Sequence, residues 1–164
     1  MEGLHLSQKC FDGQTAYGIR TIVDVLEPEL LQHYCVTHSD FLIYCDSGGK
    51  SLSDEECKRL NEEHDRFLLE ELSNHHLKLF DRGFLPRFRD YLYGDWTRFY
   101  LLSARIPLAT IQYWNNAVPL ECRIFVSCVD AAYWEVYAFD PSLLTRIKGK
   151  FPDAQACKLE DKKV

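Results

Sequence analysis

Apolar and polar residues alternate most regularly in the last third of the chain. Cys122, Ile124, Val126 and Cys128 interleave with Arg123, Phe125, Ser127 and Val129, and Trp134, Val136 and Ala138 interleave with Tyr133, Glu135, Tyr137 and Phe139. A period of two sends successive side chains to opposite faces of a strand, and the short gap at Asp130-Ala131 joins the runs into an antiparallel hairpin. Asp140-Pro141 follows, an N-cap residue with proline at the first helical position. It predicts a helix through Leu143, Leu144 and Ile147 to about Lys150 that closes over the sheet.

Earlier in the chain the period is helical. Ser53 with Glu56 three residues on fits a capping box, and Asp54, Glu55 and Glu56 put negative charge at the positive end of the helix dipole. Cys57, Leu60, Phe67, Leu68, Leu72 and Leu79 then fall on one side, and Gly83 offers a terminator. The pattern predicts a long amphipathic helix from 54 to about 80 whose outer face carries Glu55, Arg59, Glu62, Glu63, Arg66 and Glu70. Ile22, Val25, Leu26, Leu30 and Tyr34 also recur at helical spacing, and Pro28 starts a helix there that runs to about 38.

Phe41 to Cys45 reads as a buried strand ended by a turn at Asp46-Ser47-Gly48-Gly49. After Pro86 the pattern gives a short helix to Tyr93, a turn at Gly94-Asp95 and a strand from about 97 to 103. A further strand from Ile106 to Trp114 closes at Asn115-Asn116. Helices early and strands late predict an α+β single domain over residues 1–157, followed by a polar C-terminal tail at 158–164. The expected sheet is mainly antiparallel with four or five strands, covered by the long helix and the C-terminal helix.

Composition agrees with this picture. A chain of 164 residues is long enough for one real core, and 46% apolar with 27% charged residues is ordinary for a globular domain. The N-terminus has no signal-peptide pattern and no run approaches the ~18 apolar residues of a membrane span, so the expected location is cytoplasmic and no membrane is expected among the partners. Seven cysteines without C-x-x-C spacing sit mostly in apolar runs, where a reduced thiol serves as a small hydrophobe.

Charge is unevenly placed. Residues 40–77 hold ten acidic against four basic residues, while 78–105 hold three against six. An acidic segment beside an Arg-rich one suits steering toward a charged partner. Arg87, Arg89, Arg98 and Arg105, interleaved with Tyr91, Tyr93, Trp96, Phe99 and Tyr100, have the residue types that grip single-stranded nucleic acid. The sequence pI of about 5.5 argues against that, and an Arg-rich surface over buried aromatics is the favoured reading, with no nucleic acid among the partners.

Gly48-Gly49-Lys50-Ser51 resembles the end of a phosphate loop, but Tyr44 stands where that loop needs its first glycine, so an ordinary turn is expected. On the long helix, His64, Glu71 and His75 fall within the apolar stripe, with Glu71 and His75 four apart. A carboxylate beside an imidazole is the unit of general-base catalysis, and two His with a Glu could hold a metal; a small hydrolase-like or metal-dependent enzyme is the alternative these residues offer. His33, Cys35 and His38 form a second, weaker set. Neither set outweighs the structural explanation, and no catalytic residue, metal or cofactor is assigned.

The segment RIFVSCVDAAYWEVYAFDPSLLTRI at 123–147 resembles the ends of small bacterial immunity proteins that neutralise toxins passed between competing cells. The resemblance implies an acidic, cytoplasmic α+β domain that binds and inhibits a cognate toxin, and it transfers no functional residue. Three Trp and nine Tyr exceed what the core obviously requires, and Tyr, Trp and Arg dominate interface energies. The expected function is therefore non-enzymatic protein binding to a toxin with a basic surface. Glu55, Glu62, Glu63, Glu70, Tyr93 and Trp96 are the expected contact residues, and the oligomeric state is left open.

Overall fold

The computed structural model describes residues 1–11, 18–38, 41–43, 46–47, 50–72, 77–90, 92–94, 97–106, 121–129 and 132–159. Its strands in chain order are β1 (Glu2–Ser7), β2 (Tyr34–His38), β3 (Phe41–Ile43), β4 (Asp46–Ser47), β5 (Lys50–Ser51) and β6 (Leu68–Leu72). They continue with β7 (Leu77–Phe80), β8 (Leu92–Gly94), β9 (Arg98–Leu102), β10 (Cys122–Val129), β11 (Tyr133–Ala138) and β12 (Gln155–Lys158). The helices are α1 (Gly18–Leu30), α2 (Asp54–Phe67), α3 (Phe84–Phe88) and α4 (Pro141–Lys150).

Eight strands form one sheet in the order β12-β1-β11-β10-β9-β2-β7-β6, and every neighbouring pair is antiparallel. The first and last strands of the chain thus lie side by side near one edge. β3 pairs with β8, and β4 with β5, as two small separate ladders.

Strand alternation divides the core between two faces. On one, Leu4, Leu6, Phe99, Leu101, Ile124, Val126, Trp134 and Val136 meet the helices. From α1 come Ile19, Ile22, Val23, Leu26 and Leu30, the spacing of a single helical stripe. Phe84, Leu85 and Phe88 of α3 and Leu143 and Ile147 of α4 complete the layer. Burying each such side chain contributes about 1.5–3 kcal/mol, so this face dominates stability.

The opposite face has its own buried cluster, including Val36, Leu79, Tyr100, Leu102, Phe125 and Tyr137. Here the register aligns one row across all eight strands: Cys157, Gly3, Tyr137, Phe125, Tyr100, Val36, Leu79 and Glu70. Tyr100 and Phe125 stack at 4.9 Å between ring centroids, and Phe125 and Tyr137 at 5.9 Å. Cross-strand aromatic pairs of this kind fix register as well as adding stability.

Several expectations are corrected. The sheet has eight strands rather than four or five, and strands occur throughout the chain rather than late. The predicted helix from 54 to about 80 stops at Phe67, and β6 and β7 follow as an antiparallel pair. Leu and Glu favour helix, but β7 joins β2, and that pairing overrides local propensity. The helix expected from 28 to 38 is instead α1 from 18 to 30 with Pro28 inside its last turn, followed by β2. The helix around Pro86 ends at Phe88 rather than Tyr93, since β8 occupies 92–94. Lys158, placed in the tail, belongs to β12, and the Leu159 N–H donates to the Met1 carbonyl. The expected strand from 106 to 114 and the turn at 115–116 lie outside the described residues apart from Ile106.

The hairpin of β10 and β11 and the helix α4 stand where the pattern put them. Asp140 caps α4 by accepting from the Ser142 N–H at 2.8 Å. The α+β class holds, and no helix among the described residues is long and apolar enough to cross a membrane.

Candidate functional site

Helix α2 begins with the capping box that its sequence specifies. The Glu56 N–H donates to Ser53 Oγ at 3.3 Å, and the Ser53 N–H donates to Glu56 Oε2 at 3.0 Å. Those bonds from Ser53 hold the Glu56 carboxyl below its usual range. Beyond the cap, only Leu60 is buried, while Phe67 packs partly against the core and Cys57 is half-buried. The helix is therefore laid on the body along a narrow stripe, with Asp54, Glu55, Glu62 and Asp65 exposed.

The expected contact residues do not share one element. Glu55, Glu62 and Glu63 are on α2, with Glu63 paired to Arg87 of the following helix α3. Glu70 is on β6, at the sheet edge, where Arg105 holds it at 2.5 Å. The acidic face is thus shorter than a helix to residue 80 would give, because the chain becomes extended at Leu68. Tyr93 lies in β8 opposite Leu42, its side chain outside the described set, and Trp96 lies outside the described residues.

The same change of conformation takes Glu71 off the helix. Glu71 is in the strand β6 opposite Lys78, and His75 lies outside the described residues. His64 enters a ring of Phe80, Phe84 and Phe88, at centroid distances of 5.2, 5.6 and 6.0 Å. Burial there pulls the imidazole below its ordinary pKa, while Asp65 at 3.2 Å opposes the shift. His64 is thus a core histidine with one polar edge. In the second set, Cys35 is buried in the helix-side core and His33 Nδ1 lies 2.6 Å from the Glu29 carbonyl.

The Arg-rich segment is engaged internally. Arg87 pairs with Glu63, Arg89 with Asp24 and Glu27, and Arg105 with Glu70, while Phe84, Phe88, Phe99 and Tyr100 are core. Lys50 and Ser51 form β5, a strand where a phosphate loop would begin a helix. The buried thiols are apolar fillers: burial raises Cys35 well above its ordinary value and pushes Cys122 up to about 12, so neither carries a reactive thiolate. Among the described residues no three His, Cys, Asp or Glu side chains gather as metal ligands.

One polar group escaped the sequence reading. On the face away from the helices, the register sets His5 opposite Glu135, with His5 Nδ1 3.7 Å from Glu135 Oε1. The His5 ring lies against Tyr133 at 4.5 Å between centroids. The Tyr137 hydroxyl donates to Glu135 and also bonds Cys157; burial and then Glu135 push Tyr137 far above its ordinary pKa, so it stays a neutral donor. The hint was available in the alternation of Leu4 and Leu6 with Gly3, His5 and Ser7, which marks β1 as a strand with a polar outer side.

A cleft of about 280 Å³ lies elsewhere, lined by Met1, Glu2, Ala138, Phe139, Pro141 and Leu144, with Phe139 54% exposed. It brings together apolar surface rather than reacting groups. No protein-family model, curated protein or solved structure matches the chain.

Proposed function

We propose that this chain acts by binding a protein with a basic surface, and that the surface it offers is the outer side of α2. The observation that carries this reading is the helix's seating: Leu60 is its one buried residue, so the acidic positions 54, 55, 62 and 65 project into solvent. The capping box secures the start of the helix, and the Glu63–Arg87 pair and the His64 ring contacts secure its second half. A rigid, negatively charged rod of this kind accelerates encounter with a cationic partner and reduces the entropy lost on docking.

The finer reading is that the partner is a toxin whose active site or substrate path is occluded, making the chain an immunity protein. Acidic inhibitors suit enzymes that act on anionic substrates, because the groups that hold such substrates are basic. The test uses the intact chain and the double variant E55K/E62K as parallel baits in the native host. One stoichiometric partner, inhibited by the wild-type chain and lost from the variant, is expected. A partner retained equally by the variant, or no partner at all, rejects the helix as the binding surface.

A further inference from the structure

Glu135 stands apart from the other half-buried carboxylates that form ion pairs. Glu29, with 21% of its side chain exposed, is held by Arg146; Glu63, at 24%, by Arg87; and Glu70, at 28%, by Arg105. Glu135, at 26%, has only His5 as a basic partner among the described residues, and at 3.7 Å that contact is too long for a hydrogen bond. A partly desolvated carboxylate without a permanent cation is costly, and the three glutamates of equal burial show how this chain otherwise meets that cost.

We propose that Glu135 and Tyr133 form a recognition site for a guanidinium group carried by a basic peptide, on the sheet face opposite the helices. The carboxylate accepts one bond from the Tyr137 hydroxyl and keeps lone pairs for a two-pronged donor. Tyr133 supplies an aromatic ring on the same side of β11, two residues away; His5 packs against it at 4.5 Å between centroids, and a planar guanidinium would stack on the part of the ring that His5 leaves uncovered. A compact ammonium matches neither feature as well. The next described arginine on this row, Arg98, is separated from Glu135 by Ser127 of β10, and its side chain bonds Tyr100. The site is on the face away from α2 and stands whether or not that helix binds a partner.

His5 is the built-in competitor. Among the described residues the titratable groups facing Glu135 are His5 on β1, Tyr133 and Tyr137 on β11 and Cys157 on β12, and His5 is the nearest basic one.

The experiment titrates the full chain with the peptide acetyl-Gly-Arg-Gly-amide and with its citrulline counterpart, a neutral isostere, following the His5 and Tyr133 ring resonances at pH 8. Saturable shifts with the arginine peptide are expected, at least about tenfold tighter than with citrulline, the size of one charge-assisted bond. E135Q should lose the preference for arginine while keeping the native spectrum, and Y133L should weaken binding without abolishing it. Equal response to citrulline, an unchanged preference in E135Q, equal affinity for a lysine peptide, or no saturable shift up to the solubility of the peptide would each overturn the proposal.

Discussion

The ring of Tyr137 occupies the space where Gly3, its partner across the β1–β11 ladder, would carry a side chain. A Cβ built on Gly3 would lie 2.3 Å from Tyr137 Cδ1 and 2.9 Å from the Val136 carbonyl oxygen. The ring contact could yield if Tyr137 turned, but Phe125 stacks on its other neighbour's side and the backbone oxygen is fixed by the ladder. Gly3→Ala is therefore expected to destabilise the chain by about 1–3 kcal/mol, the range for overpacking. Chemical denaturation of G3A, Y137A and the double variant measures it. The double variant should cost less than the sum, because the second change removes the clash made by the first.

His64 gives a pH dependence whose sign follows from its surroundings. Its folded pKa is depressed by burial among Phe80, Phe84 and Phe88, so the unfolded chain takes up the proton first as pH falls. Stability is unaffected by this group above the ordinary imidazole range, and is lost as pH falls from there through the lowered folded value. The gap in stability between wild type and H64Q, from urea melts at pH 7 and pH 5, should narrow or reverse toward pH 5. A constant gap would mean that the imidazole is solvated in the folded state.

Acid should also weaken two helix starts. Asp140 is held below its usual pKa by the Ser142 hydroxyl and N–H, and Glu56 by the Ser53 N–H and hydroxyl. Both are carboxylates with depressed folded values, so their contribution is present above the unfolded value and disappears as pH falls through the folded one. D140N and E56Q should each flatten the acid limb of a stability profile between pH 5 and pH 2. A limb of unchanged slope in both variants would place the acid sensitivity elsewhere.

These caps also show which parts of the fold are legible from sequence. Ser53-x-x-Glu56 and Asp140-Pro141 act within one turn, so their signals and effects coincide. β6 and β7 differ: Leu68–Leu72 and Leu77–Phe80 lie in a stretch with helical spacing and helix-forming residues, yet are extended because β2 offers β7 a partner. The same limit hid the polar group. The alternation places Glu135 and Trp134 on opposite faces of a strand, but the neighbours of Glu135, His5 and Cys157, come from distant parts of the chain, and only the β12-β1-β11 order brings them together. Spacing along a sequence carries no information about such a contact.

Three buried polar atoms lie around Phe99 on the helix side of the sheet. Thr37 is its partner across β2, Thr97 precedes it by two residues, and the Trp134 ring stacks near it at 6.3 Å. Thr37 Oγ1, Thr97 Oγ1 and Trp134 Nε1 have no hydrogen-bond partner among the described residues. A buried hydroxyl without a bond costs about 1–3 kcal/mol, and valine has nearly the same shape without the oxygen. T37V and T97V should each raise stability by about 1 kcal/mol, seen as a higher urea midpoint with an unchanged slope. If either variant is instead less stable, its hydroxyl has a bond through an ordered water, and the three atoms mark a hydrated site within the core.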